Sequence, residues 1–243
     1  RRPAQAALRL TSVLESLLAD KDKKPHYHGH RQRLRERFLK GGPDSLPGYE
    51  LLELILFGAL RQGDVKPLAK RLIDQFGSLA AVFSAEISAL ENAGLGETTI
   101  ATLKATQAAA LHLSRAQLLE EPILSSWQAL LDYCRAAMGH DRTEAFRILF
   151  LDRRNRLIKD EVQQRGTVDH TPVYPREVVK RALELGATAL ILVHNHPSGD
   201  ATPSQADIEM TKKIAAAADP LGIVLHDHLI MTRSEEADRK SVV

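Results

Sequence analysis

The sequence predicts an α+β protein, with an all-α N-terminal part and a C-terminal α/β sandwich. Three observations predict it. Residues 46–121 carry apolar stripes at helical spacing, broken by short Gly- and Pro-containing links. Beyond Trp127, apolar runs of strand length at 146–152, 187–196 and 223–231 alternate with helical stretches at 175–185 and 202–218. One of those runs ends in two histidines a single residue apart, His194 and His196.

Taken in order, residues 1–24 carry Leu10, Leu14, Leu17 and Leu18 and end in Lys21-Asp22-Lys23-Lys24-Pro25, a polar N-terminal arm. His26, His28 and His30 alternate and could bind metal, but no strand pattern and no carboxylate partner accompanies them in the sequence. Arg31, Arg33, Arg35 and Arg37 follow on a helix, paired four apart on shared faces. They are the densest positive charge in the chain and a candidate contact for DNA phosphate. Short helices are expected at 50–57, 67–76 (closed by Gly77), 84–92 and 97–113. Between the last two, Gly94-Leu95-Gly96 looks like the turn of a helix-hairpin-helix unit. There, glycines would expose backbone N–H groups to a phosphate, although Glu97 beside them would repel one. Helix continues over 111–121 to Pro122, which with Ser125-Ser126 reads as the linker. The expected organisation is therefore an arm at 1–24, a helical domain at 25–122 and a second domain at 123–243.

That second domain opens with a helix over 127–138 carrying Cys134 on its buried face. Strands over 146–152 and 157–167 pair across the turn Arg153–Arg156. A helix from Tyr174-Pro175-Arg176 stops at Gly186, and Ala187 to His196 forms the next strand. On a strand, residues i and i+2 share a face, so the imidazoles of His194 and His196 can reach one metal ion. Pro197-Ser198-Gly199 turns the chain. Thr202 reads as an N-cap, Pro203 as the first helical residue and Gln205 as the partner of a capping box, which puts Asp207 one turn into a helix beside the histidines. A His, His, Asp set leaves one of zinc's four tetrahedral positions open, as a hydrolytic zinc requires.

His194-x-His196, seven residues, Ser204, two residues, Asp207 resembles the JAMM signature of the MPN-type zinc metallopeptidases. With Tyr174-Pro175-Arg176-Glu177-Val178-Val179 upstream, the block through Asp207 resembles the bacterial RadC proteins specifically, from about Trp127 onward. The resemblance implies an MPN (JAMM, cytidine-deaminase-like) sandwich and Zn2+ held by His194, His196 and Asp207. It also implies a glutamate on a neighbouring strand that moves the proton of water. By position that base is Glu161, in Lys159-Asp160-Glu161-Val162, where alternation sends only one of the adjacent acids inward. Ser204 matches the JAMM serine, expected to donate to an oxyanion. His226-Asp227-His228 is a second candidate metal set, read here as outer support that holds the N–H of a ligating imidazole. The chain departs from the family in the short, charged segment after Ile230, where a closing helix is expected.

Composition sets the remaining bounds. Net charge is only +2, so nucleic-acid contact must rest on a local patch. Cys134 is the single cysteine, which fits a reducing cytosol, and no apolar run approaches a membrane span. The sequence thus reads as a cytoplasmic RadC-like zinc hydrolase acting on a protein or peptide substrate. DNA is a candidate partner through Arg31, Arg33, Arg35, Arg37 and the Gly94–Gly96 hairpin, a homodimer is a candidate assembly, and the RadC label brings an association with DNA repair. The rival readings are a DNA-binding or scaffold protein with an inactive zinc domain, and a metal-dependent nuclease.

Overall fold

The structure is a computed structural model and describes residues 29–165 and 173–233. The N-terminal arm, His26, His28, Gly166, Thr167, His170 and the charged C-terminal segment from Ser234 lie outside the described residues. The chain forms two compact units that part between Gln75 and Phe76.

The first unit holds helices α1 (His30–Gly41), α2 (Gly48–Ala59) and α3 (Lys66–Phe76). Its core is Leu34, Leu46, Leu52, Leu56, Val65, Ala69 and Leu72. Two acids on α2, Glu50 and Glu53, are buried as well, and each is met by a base from α1. His30 Nε2 lies 2.8 Å from Glu53 Oε1, and Arg37 pairs with Glu50. Arg31 stacks over the Phe57 ring and donates to the Gly63 carbonyl. Within the arginine run, Arg31 and Arg35 lie over the Phe57 ring and Arg37 pairs with Glu50, a buried carboxylate that would cost several kcal/mol unpaired.

The second unit opens with helices α4 (Leu79–Ser84) and α5 (Ile87–Asn92). The sequence placed a single helix over 84–92; instead Ser78 caps α4 by accepting from the Ala81 N–H, and the chain breaks at Ala85-Glu86. Gly94, at φ 84°, turns into α6 (Glu97–Glu120), the continuous helix expected up to Pro122. Pro122 is not where the units part. Leu118 and Ile123, on either side of it, share a core with Leu130, Leu131, Cys134 and Met138 of α7 (Trp127–Met138).

Strands β1 (Ala145–Leu151), β2 (Leu157–Arg165), β3 (Ala189–Asn195) and β4 (Val224–Met231) make a sheet in the order β2-β1-β3-β4. β1 runs antiparallel to both neighbours, and β3 pairs parallel with β4 across the crossover helix α9 (Gln205–Ala218). Strand alternation sorts the side chains onto two faces. Leu149, Leu151, Ile191, Val193, Leu229 and Met231 pack under α7. Phe146, Ile148, Phe150, Leu190 and Leu192 pack under α8 (Pro175–Leu185) and α9. Every residue of β3 is buried, which explains why its sequence is a continuous apolar run rather than an alternating one. The expected α+β organisation, a helical N-terminal region and a C-terminal sandwich of one sheet and its helices, is the observed one.

The same alternation separates two adjacent acids of β2. Asp160 turns to the α7 face, where Tyr133 and Arg147 donate to it; burial pushes the Tyr133 phenol above its usual range. Beside it the Cys134 thiol, buried completely, is pushed up to about 12 and stays protonated.

Candidate metal centre

The centre forms where β3 ends. His194 extends the Leu190, Leu192 face and is 2% exposed. His196 lies one residue past the strand, tied to β4 by its N–H, which donates to the Met231 carbonyl at 2.9 Å. The chain then turns through Gly199, at φ 88°, into α9. The N-cap of α9 is Ser204, two residues later than the sequence suggested. Thr202 precedes a proline and is kept out of helical backbone; its N–H donates instead to Asp200 Oδ1 at 2.8 Å. Ser204 and Asp207 form the reciprocal box: Asp207 N–H donates to Ser204 Oγ at 3.2 Å, and Ser204 N–H donates to Asp207 Oδ2 at 2.8 Å. The Ser204 hydroxyl also donates to Oδ2, at 2.6 Å, so its one proton is spent on orienting Asp207.

These elements bring the three expected ligands together. His194 Nε2 and His196 Nε2 lie 2.8 Å apart. Asp207 Oδ1 lies 3.4 Å from the first and Oδ2 3.6 Å from the second. A tetrahedral zinc with bonds near 2.05 Å would have ligand–ligand edges of about 3.3 Å, a length these distances bracket. His196 Nδ1 lies 2.6 Å from the Asp200 carbonyl, which only accepts, so Nδ1 carries the hydrogen and a neutral His196 turns its Nε2 lone pair to the same point. Two imidazole nitrogens and a carboxylate facing one another call for a cation. The set fits a divalent metal on that ground.

Electrostatics agree. Burial alone would raise the Asp207 carboxyl, but the two imidazoles and the Ser204 hydroxyl hold it well below the usual carboxylate range. Hydrogen bonding to Asp207 raises His196, against the effect of burial. Deeper in, burial drives His228 down to about 3, with the neighbouring His194 adding to the shift.

A fourth group was not read from the sequence. Glu144 precedes β1 and, by alternation, shares a face with Phe146, whose register partner is His194. A carboxylate oxygen of Glu144 and ring nitrogens of His194 and His196 all lie within 4.8 Å of one another, a set that could hold a metal ion. Asn195, between the two histidines, holds the Glu144 segment in place. Its Oδ1 accepts from the Ala145 N–H at 2.7 Å, and its Nδ2 donates to the carbonyls of Thr143 and Asp141 at 3.1 and 3.3 Å. The available signal was spacing: Glu144 stands two residues before Phe146, but which strand pairs with β3 is not written in the sequence.

Glu161 is placed elsewhere. It pairs with Ile148, one row away from Phe146 and His194, and β1 separates its strand from β3, about 10 Å across the sheet. Arg181 of α8 grips it with two bonds, Nε to Oε2 at 2.9 Å and Nη2 to Oε1 at 2.6 Å, and hydrogen bonding to Arg181 lowers its pKa. His226 and His228 do not share a face. A register shift lies between Leu190 and Ile191, sending His226 Nε2 to Asn155 Oδ1 at 2.7 Å and His228 Nε2 to His194 Nδ1 at 2.8 Å. Among the described residues, no helix is long and apolar enough to cross a membrane.

Comparison with known proteins places this architecture. Residues 124–238 match the family described as "RadC-like JAB domain", and residues 28–101 match "UPF0758 N-terminal". A UPF0758 protein of Rhodobacter capsulatus is 64% identical over 204 residues, covering 84% of this chain and 95% of that protein. A UPF0758 protein of Ruegeria pomeroyi is 58% identical over 208 residues, covering 85% of this chain and 93% of the relative. With both of its regions matched and its relatives covered nearly end to end, this chain belongs to the UPF0758 family and carries a RadC-like JAB domain.

Proposed function

We propose that this protein is a zinc-dependent hydrolase of peptide or isopeptide bonds. The observation that carries the reading is the convergence of His194, His196 and Asp207 at 2.8–3.6 Å with Glu144 alongside. His194, His196 and Asp207 would hold the ion, with the Asp207 carboxylate turned to both imidazoles by its bonds from Ser204. When bound, zinc supplies a Lewis acid that polarises a carbonyl and acidifies water. Glu144, in place of Glu161, accepts the proton of the attacking water on its carboxylate and returns it to the leaving amine. Ser204 orients Asp207, in place of serving an oxyanion. Asn195 keeps the Glu144 segment at the required distance.

The structure offers less to a DNA-directed reading. Arg31 and Arg37 are engaged within their own unit, and the Gly94–Gly96 turn stands before an acidic first helical turn. The test is zinc content measured with hydrolysis of peptide, isopeptide and DNA substrates, for the wild type and for Glu144→Gln and Glu161→Gln. Glu144→Gln is expected to lose about 10²- to 10⁴-fold in peptide hydrolysis and Glu161→Gln less than about 3-fold. Hydrolysis of DNA alone would favour the nuclease, and zinc-independent DNA binding without hydrolysis would favour the scaffold.

A further inference from the structure

We propose that Thr211 sets the tautomer of His194 through His228, so that a proton relay anchored on the α9 backbone keeps His194 Nε2 bare for a metal. The inference rests on His194 Nε2 being a ligand, and it adds how that nitrogen is kept available.

The relay follows from counting protons. The Asp207 main-chain carbonyl can only accept, and Thr211 Oγ1 lies 2.6 Å from it. The single hydroxyl hydrogen of Thr211 is therefore spent there. Thr211 Oγ1 also lies 2.6 Å from His228 Nδ1, so in that contact the oxygen accepts and Nδ1 carries the hydrogen. His228 is fully buried, Thr211 is 3% exposed, and the rings of His194 and the edge-on Phe146 lie against it. A fully buried imidazole hydrogen-bonded to a hydroxyl and a second imidazole, with no carboxylate among the described residues bonded to either nitrogen, is neutral, because burial costs a charge more than these partners return. A neutral ring has one N–H, which leaves His228 Nε2 as a lone pair. That nitrogen lies 2.8 Å from His194 Nδ1, so His194 donates to it. The hydrogen of His194 is thus on Nδ1, and Nε2 faces His196 and Asp207 unprotonated.

The helix that supplies Asp207 also supplies Thr211, four residues and one turn later. One element therefore places an acidic ligand directly and fixes the protonation pattern of an imidazole ligand on another strand. Without the hydroxyl, His228 is free to carry its hydrogen on Nε2 and donate to His194 Nδ1. His194 must then carry its own hydrogen on Nε2, pointing into the site.

The test uses the full chain with Zn2+ alone as probe. Thr211→Val removes the hydroxyl at nearly constant shape, and Thr211→Ser restores it. Zinc affinity is read by competition with a chromogenic chelator, and imidazole tautomers are read by long-range 15N–1H spectra of metal-free protein. The wild type and Thr211→Ser should show His194 with hydrogen on Nδ1 and affinities within about 3-fold of each other. Thr211→Val should populate the Nε2–H form and bind zinc about 10-fold more weakly. A Thr211→Val protein with the wild-type tautomer overturns the relay, whether or not its affinity falls. A wild type that binds no zinc yet shows the Nδ1–H tautomer leaves the relay standing and overturns the hydrolase reading.

Discussion

Two His-x-His pairs stand on neighbouring parallel strands of one sheet, and only one gathers its imidazoles. His194 and His196 meet at 2.8 Å because β3 is regular up to its end and the chain turns just beyond it. His226 and His228 have the same spacing but straddle a register break, so one reaches the β1–β2 turn and the other the back of His194. Spacing alone therefore does not specify a metal site. What brings the first pair together is strand regularity up to His194, with an acid delivered from a helix that begins at the same end.

The comparison is broken most severely by removing a member of the first pair. His194→Ala or His196→Ala should weaken zinc binding by more than about 100-fold, while His228→Ala should cost about 10- to 100-fold, the range for a group that holds a ligand in orientation. His226→Ala should leave affinity unchanged. A chelator competition series across the four variants checks the ranking, and equal losses from His226 and His194 would contradict it.

The residue between the first pair comes next. Asn195 is 1% exposed and satisfies three main-chain groups of the segment 141–145. Asn195→Ala takes the acceptor from the buried Ala145 N–H and should destabilise the protein by about 1–3 kcal/mol in urea unfolding. A loss under about 0.5 kcal/mol would show that this segment is held by other means.

The second pair is sharpened by pH. His228 is held down to about 3, so between the ordinary value of 6.5 and about 3 the unfolded chain binds a proton that the folded chain does not. Stability in the metal-free protein should therefore fall on acidification through this window, by at most about 1.4 kcal/mol per pH unit from this group. His196 acts oppositely: its raised pKa contributes stability below 6.5 that is lost as pH rises. Subtracting the profile of His228→Asn from that of the wild type isolates the first effect, and parallel profiles would refute it.

Much of this centre could be read from the sequence, and the reasons are local. The apolar run 189–193 announces a buried strand, and His194-x-His196 and the following capped helix need only alternation and cap chemistry to converge with Asp207. The cap itself was displaced by two residues, because Ser204 and Asp207 satisfy each other better than Thr202 and Gln205 can beside Pro203. What could not be read depends on which strands neighbour which. Glu144 and Glu161 both lie on strand-like segments near the motif, and only the order β2-β1-β3-β4 puts Glu144 next to His194 and leaves Glu161 to Arg181. The boundary at Gln75 was hidden for a similar reason, since Pro122 reads as a break although the residues around it share one core.

The smallest effect expected follows from that contrast. Glu161→Gln removes a partly exposed pair with Arg181 and should cost under about 1 kcal/mol in stability. Zinc binding should not change, and a clear loss of zinc in this variant would return Glu161 to the site.

The most direct measurement is the zinc affinity of Glu144→Gln set beside its peptide hydrolysis. If Glu144 moves a proton in a site whose ligands are His194, His196 and Asp207, the variant should bind zinc within about 3-fold of the wild type and hydrolyse at least about 100-fold more slowly. If zinc and hydrolysis are lost together, Glu144 is a ligand that closes the coordination sphere, and the open hydrolytic centre described above is contradicted.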